Sequence, residues 1–201
     1  MTNAFEAVRA FERAIADYCG APAAVATTSC TDALLVACAY LGVGEVEIPR
    51  RTFVGVPQAI LNAGGTVKFR DEEWSGGYQL RPYRIYDMAR RTTEGMYIPG
   101  SLMCLSFHVT KICGISDGGV ILCPEEDQEI LHRMCYDGRP LKPWWSGEDI
   151  VRGFHCYMAP STAAAIHRRL DALPRTNADL PCSDYPDLST FPIFQMGKTP
   201  A

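Results

Sequence analysis

An α/β fold built on a largely parallel sheet is what this sequence predicts, on three observations. Short apolar runs of strand length alternate with helix-length apolar runs through the first 140 residues. Glycine and proline punctuate nearly every boundary between them. The composition, 47% hydrophobic and 21% charged over 201 residues, is that of an ordinary globular chain. It excludes disorder, collagen and coiled coil as readings of the whole. The length suits one domain with an appendage: an α/β unit over 1–140, and a helix with an extended tail over 141–201.

The elements follow in order. Phe5, Val8, Phe11, Ile15 and Tyr18 recur at steps of three and four, so residues 3–18 predict an amphipathic helix stopped by Gly20. AAVAT at 23–27 reads as a strand. Thr27-Thr28-Ser29 makes a polar turn, and the run from Thr31 to Gly42 a capped, buried helix. EVEI at 45–48 predicts a strand, 53–63 a helix with Pro57 near its first turn, and TVKF a further strand. Residues 71–82 read as polar loop. Strands follow at 84–86, 101–107 and 118–123, then a helix over 126–136. Residues 139–153, rich in Pro, Gly and Trp, read as a linker or reorganised loop, with Trp144 and Trp145 expected at an interface, at the substrate entrance or in the core. A helix starts at Pro160 and runs to about Leu173, and the proline-rich stretch 174–201 reads as an extended arm or a partly disordered tail.

A formal net charge of -4 gives no global pull toward nucleic acid or an anionic membrane. His132, Arg133, Arg139 and Lys142 leave room for a local basic patch. Nine cysteines, none spaced as CxxC and most inside apolar runs, read as buried reduced thiols and predict no metal site. With Glu, Arg and Asp mixed through the first 18 residues, the expectation is a cytoplasmic protein. No apolar run has the ~20 residues of a membrane span.

Three local features point to chemistry. Thr28-Ser29-Cys30-Thr31 places hydroxyls at a helix N-terminus, where free N–H groups favour a phosphate. Asp87 ends a strand, where ligands bind in α/β sheets. Lys111 follows the strand SLMCLSF in the segment SFHVTK, placing an amine where it can act as a nucleophile. Taken singly, each is an ordinary feature of a folded chain: a helix cap, a loop carboxylate and a surface lysine.

Taken together, SFHVTK followed by DGGVILC resembles the DegT/DnrJ/EryC1/StrS family of pyridoxal-phosphate enzymes, best known as sugar aminotransferases. The resemblance extends over most of residues 5–173, with IYDMARR in place of that family's acidic "EDAAQA" segment. It implies a three-layer, mostly parallel sheet like the large domain of fold type I enzymes, with a truncated C-terminal domain. It also implies pyridoxal 5'-phosphate held by Lys111 as a Schiff base, with Asp87 on the pyridine nitrogen. Ser29, Thr31 and Ser106 would bind the phosphate, and Phe53 would stack on the ring. Thr28, Cys30 and His108 join the cofactor-binding set as members of the same motifs.

Three positions depart from the family pattern. Cys30 stands where the family has glycine, which would strain a left-handed backbone. Arg90 replaces a glutamine or histidine, within reach of the cofactor's phenolic oxygen or a substrate acid. His155 replaces an asparagine that reaches the neighbouring subunit's phosphate. The resemblance implies a homodimer with a shared active site, with Arg90, Arg91, Arg139 and Arg152 as candidates for the carboxylate of an amino-acid donor. The chain is about half the family's length, and the stretch before IYDMA lacks a strand–helix unit. The leading expectation is therefore an aminotransferase acting on a keto acceptor such as a sugar nucleotide. The alternatives are a pyridoxal-phosphate decarboxylase, lyase or isomerase acting on a bulky or polymer-linked substrate (modified DNA among them), and a non-catalytic homologue.

Overall fold

The computed structural model describes residues 5–140, 146–182 and 185–195. Trp144, Trp145 and Lys142 lie outside them. Helix α1 spans Glu6–Cys19 and buries Val8, Phe11 and Ile15, the stripe that the spacing predicts. It ends at Gly20, whose left-handed φ of 75° lets its N–H return to the last turn. Strand β1 (Ala23–Thr27) leads through Ser29 into α2 (Cys30–Leu41). The Ser29 hydroxyl caps α2 by accepting from the Asp32 N–H at 3.1 Å. Strand β2 (Glu45–Pro49), helix α3 (Gly55–Ala63) and strand β3 (Thr66–Arg70) follow. Then come β4 (Tyr78–Leu80), β5 (Ile85–Asp87), β6 (Leu102–Ser106), β7 (Gly119–Cys123), α4 (Glu125–Cys135) and α5 (Pro160–Asp171).

The strands form a five-stranded sheet in the order β1-β7-β6-β5-β4, with β2 and β3 paired parallel beside it. A bridge from Glu47 to Arg81 joins β2 to the end of β4. Both faces are covered. Leu34, Ile48, Ile60, Ile85, Cys104 and Ile121 pack on the side of α2 and α3. Phe11, Ile15, Met103, Leu105, Leu122 and Ile166 pack on the side of α1 and α5. Because both faces are buried, β6 and β7 read as continuous apolar runs and not as alternating ones. This is the three-layer α/β architecture that the sequence predicts.

The sheet is mixed, where a largely parallel one was expected. Only β5–β6 is parallel within the five strands; β1–β7, β6–β7 and β4–β5 are antiparallel. Connection length is the reason. A parallel pair needs a crossover of a dozen or more residues, commonly through a helix. Residues 81–84 join β4 to β5 and are far too few for a crossover, so that pair folds back on itself; 107–118 join β6 to β7 without a crossover helix.

Residues 71–82, expected to be loop throughout, contain β4. The expected tail is an ordered arm along the described residues. The Asn177 side-chain amide donates to the Thr92 carbonyl at 3.0 Å, and the Leu180 N–H to that of Arg90 at 2.9 Å. Further on, the Leu188 N–H donates to the Arg50 carbonyl at 2.9 Å, Asp187 pairs with the Arg50 guanidinium at 3.4 Å, and the Leu188 side chain is fully buried.

Candidate active site

The carboxyl ends of β1, β5 and β6 open onto one cavity of about 580 Å³. Ser29, Cys30, Thr31, Phe53, Asp87, Arg90, Ser106, His108 and Lys111 all line it. These are the predicted site residues, save two. Thr28 turns its hydroxyl to the Asp32 carboxylate at 2.5 Å and does not line the cavity. His155 lies elsewhere too: its side chain is 71% exposed and pairs with Asp137 at 3.1 Å.

Three elements build the site. At the α2 N-terminus, Ser29 caps the helix and Thr31 stands in its first turn, beside N–H groups that have no partner within the helix. The backbone strain expected at Cys30 is absent. Cys30 is the first helical residue, and Asp137 is the only non-glycine residue with positive φ among those described. Burial pushes the Cys30 thiol well above its ordinary value, and it lies 3.6 Å from the Cys104 carbonyl.

Asp87 ends β5 and is almost fully buried. One carboxylate oxygen accepts the Ala89 N–H at 3.0 Å, and the other accepts the Tyr78 hydroxyl at 3.1 Å. Burial raises its pKa above the usual carboxylate range, against the opposing pull of these two donors and of Lys111 and Arg90. Lys111 sits in the turn after β6, where its N–H bonds the His108 carbonyl at 2.8 Å. The Ser106 hydroxyl, at the end of β6, accepts the His108 N–H at 3.3 Å.

The fourth wall was not legible as a site in the sequence. Thr52, Trp74 and Tyr185 also line the cavity. Tyr185 comes from the C-terminal arm; its ring is 6.5 Å from that of Phe53 and stacked at 12° to Trp74, 6.4 Å away. Arg90 donates to the Tyr185 hydroxyl at 3.4 Å. Of the four candidate arginines, only Arg90 lines the cavity. Arg91 faces Asp179 at 3.6 Å, Arg139 lies over Tyr136, and Arg152 over Phe154. Among the described residues no group of three His, Cys, Asp or Glu is placed to hold a metal ion, and no helix is long and apolar enough to cross a membrane.

The donor set fits a phosphorylated, cationic aromatic ring. It offers hydroxyls and a helix N-terminus for the phosphate, a buried carboxylate for a protonated ring nitrogen, and an aromatic face from Phe53. Residues 1–96 match the family model for the DegT/DnrJ/EryC1/StrS aminotransferases, so the resemblance is borne out over those residues. The described fold matches part of the fold type I architecture. It superposes on 3-amino-5-hydroxybenzoic acid synthase with a TM-score of 0.71 at 21% identity, covering 84% of this chain and 56% of that one. NtdA of Bacillus subtilis, solved with bound cofactor PMP, gives 0.69 at 19% identity over 83% and 48%. DesI, solved in the presence of its TDP-sugar product, gives 0.63 at 24% over 84% and 53%. The chain thus spans about half the length of these solved relatives.

Proposed function

We propose that this chain is a pyridoxal-phosphate aminotransferase that takes an amino group from an amino-acid donor and passes it to a keto acceptor, of sugar-nucleotide type by analogy with DesI. The observation that carries this reading is the convergence of Lys111, Asp87 and the α2 N-terminus on one cavity. Bound there, pyridoxal phosphate supplies an electron sink for bond breaking at the donor's α-carbon.

The chain's own residues do the rest. The Lys111 amine would hold the cofactor covalently and would serve as the base that moves the donor's α-proton. The Asp87 carboxylate holds the proton on the ring nitrogen. Ser29, Thr31 and Ser106 bind the phosphate, together with the first N–H groups of α2. Phe53 lies against the ring. Arg90 is the cation for the donor's carboxylate, set in place by Tyr185.

A second copy of the chain completes the site in this reading. Phe53, Val54 and Val109 are 52%, 44% and 62% exposed, and Phe53 lies on the cavity wall. Exposed apolar side chains of this size are favoured where a partner covers them. His155, exposed and paired with Asp137 outside the cavity of its own subunit, would serve the partner's.

The test is the absorption spectrum of the protein with pyridoxal phosphate, before and after L-glutamate. A visible band that bleaches as the cofactor converts to its amine form, in the wild type and not in Lys111→Ala, is the expected result. A band that no amino acid alters refutes transamination.

A further inference from the structure

The short connection that turns β4 back on β5 brings Tyr78 directly opposite Asp87 in the antiparallel register. Residues so paired share a face of the sheet, and both side chains are buried. The Tyr78 hydroxyl donates to Asp87 at 3.1 Å, and its oxygen lies 2.5 Å from the Thr52 hydroxyl. Tyr78 has one proton. If that proton goes to the carboxylate, the tyrosine oxygen can only accept from Thr52, so the chain of donors runs from Thr52 to Tyr78 to Asp87. The ring of Tyr78 is packed edge-on by Trp74, with centroids 4.8 Å apart, and Trp74 is itself tied to the Arg51 carbonyl at 2.9 Å.

We propose that Tyr78, backed by Thr52, is a positioning residue that holds Asp87 ionised and aimed into the cavity. Its role toward the cofactor rests on the function proposed above; its effect on Asp87 does not. One Asp87 oxygen is fixed by the Ala89 N–H and the other by Tyr78, so the carboxylate cannot rotate without breaking a bond. In a site where burial disfavours the charge, a donor to the charged form offsets that cost.

The experiment is a double-mutant cycle on pyridoxal phosphate affinity with wild type, Tyr78→Phe, Asp87→Asn and the double variant. Tyr78→Phe is expected to weaken binding about tenfold or more, the usual effect of one hydrogen bond to a charged group. In the Asp87→Asn background it is expected to add nothing. Wild-type affinity in Tyr78→Phe, or an equal loss in both backgrounds, overturns the proposal.

The same coupling is read without cofactor, from the unfolding temperature against pH. A carboxyl whose pKa is raised by folding stabilises the fold when protonated, and that stability is lost as pH rises through its folded value. Cys30 on α2, Cys104 on β6, Tyr78 on β4, and Arg90 and Lys111 beside them also act on Asp87, so the profile of Asp87→Asn is subtracted. The loss is expected at higher pH in Tyr78→Phe than in wild type, and Thr52→Val is expected to shift it the same way by less. Coincident profiles overturn the proposal even if wild type binds no pyridoxal phosphate, an outcome that would by itself refute only the functional reading. If Tyr78→Phe does not fold, Thr52→Val decides in both assays.

Discussion

Gly119→Ala tests whether the phosphate end of the site is held by backbone packing. Gly119 opens β7 between Thr27 of β1 and Ser106 of β6. A Cβ there would lie 2.3 Å from the carbonyl carbon and oxygen of Ser29, and 2.5 Å from the Cys30 nitrogen. Ordinary contact begins at 3.4 Å, and all three obstructing atoms are backbone, which no rotamer change can move. The Ser29 carbonyl is itself fixed, accepting the Thr27 hydroxyl at 2.8 Å and the Ala33 N–H at 3.0 Å. Either the strand or the turn into α2 must therefore shift. Overpacking of this kind costs about 1–3 kcal/mol, and at this chain length the unfolding temperature should fall by roughly 3–10 °C. The shift carries Ser29 and Thr31 with it. Losing one charge-assisted bond to phosphate, about 1.5–3 kcal/mol, weakens cofactor binding by tenfold or more. Differential scanning calorimetry and a fluorescence titration with pyridoxal phosphate measure both effects. A Gly119→Ala variant with wild-type unfolding temperature and affinity would refute the reasoning.

Two further expectations follow from particular side chains. Tyr185→Ala removes the hydroxyl that meets Arg90 and part of the wall beside Trp74; the KM for the amino donor should rise roughly tenfold, as for a lost hydrogen bond to a charged group, with cofactor affinity unchanged. Steady-state kinetics check it, and an unchanged KM would remove Tyr185 from the substrate wall. Cys30, its thiol held neutral by burial, should resist iodoacetamide in the native protein at pH 8 and react after unfolding. Peptide mass mapping reads this, and rapid native labelling at Cys30 would show that burial does not control the thiol.

Much of the site was legible because its residues lie in contiguous motifs. Ser29 and Thr31 flank a helix start, Asp87 ends a strand, and SFHVTK follows another, so local pattern offered three candidates, and the family resemblance joined them into the one cavity that the fold forms. What sequence could not supply came from long-range pairing. Tyr78 sits in a stretch whose charged and glycine residues read as loop, and β4 forms only because β5 offers it an edge. Tyr185 lies 95 residues from Arg90, in a tail with no periodicity, and its place depends on Leu180 and Leu188 pinning the arm. The mixed sheet follows from the same pairing: once Tyr78–Leu80 is a strand, residues 81–84 are too few for any crossover and β4 and β5 must be antiparallel, but with 71–82 read as loop that connection was not legible. As candidates for a donor's carboxylate, Arg91, Arg139 and Arg152 matched Arg90 by type; the family motif singled out Arg90, and the fold places it alone of the four on the cavity wall.

The central claim is that Lys111, facing Asp87 across one cavity, carries pyridoxal phosphate. It is tested most directly by incubating the protein with that cofactor, reducing with borohydride, and mapping the modified peptide. A single stable adduct on Lys111 is expected, lost in Lys111→Ala and weakened in Asp87→Asn. No adduct, or one spread over the other lysines with Lys111 unmodified, would contradict it.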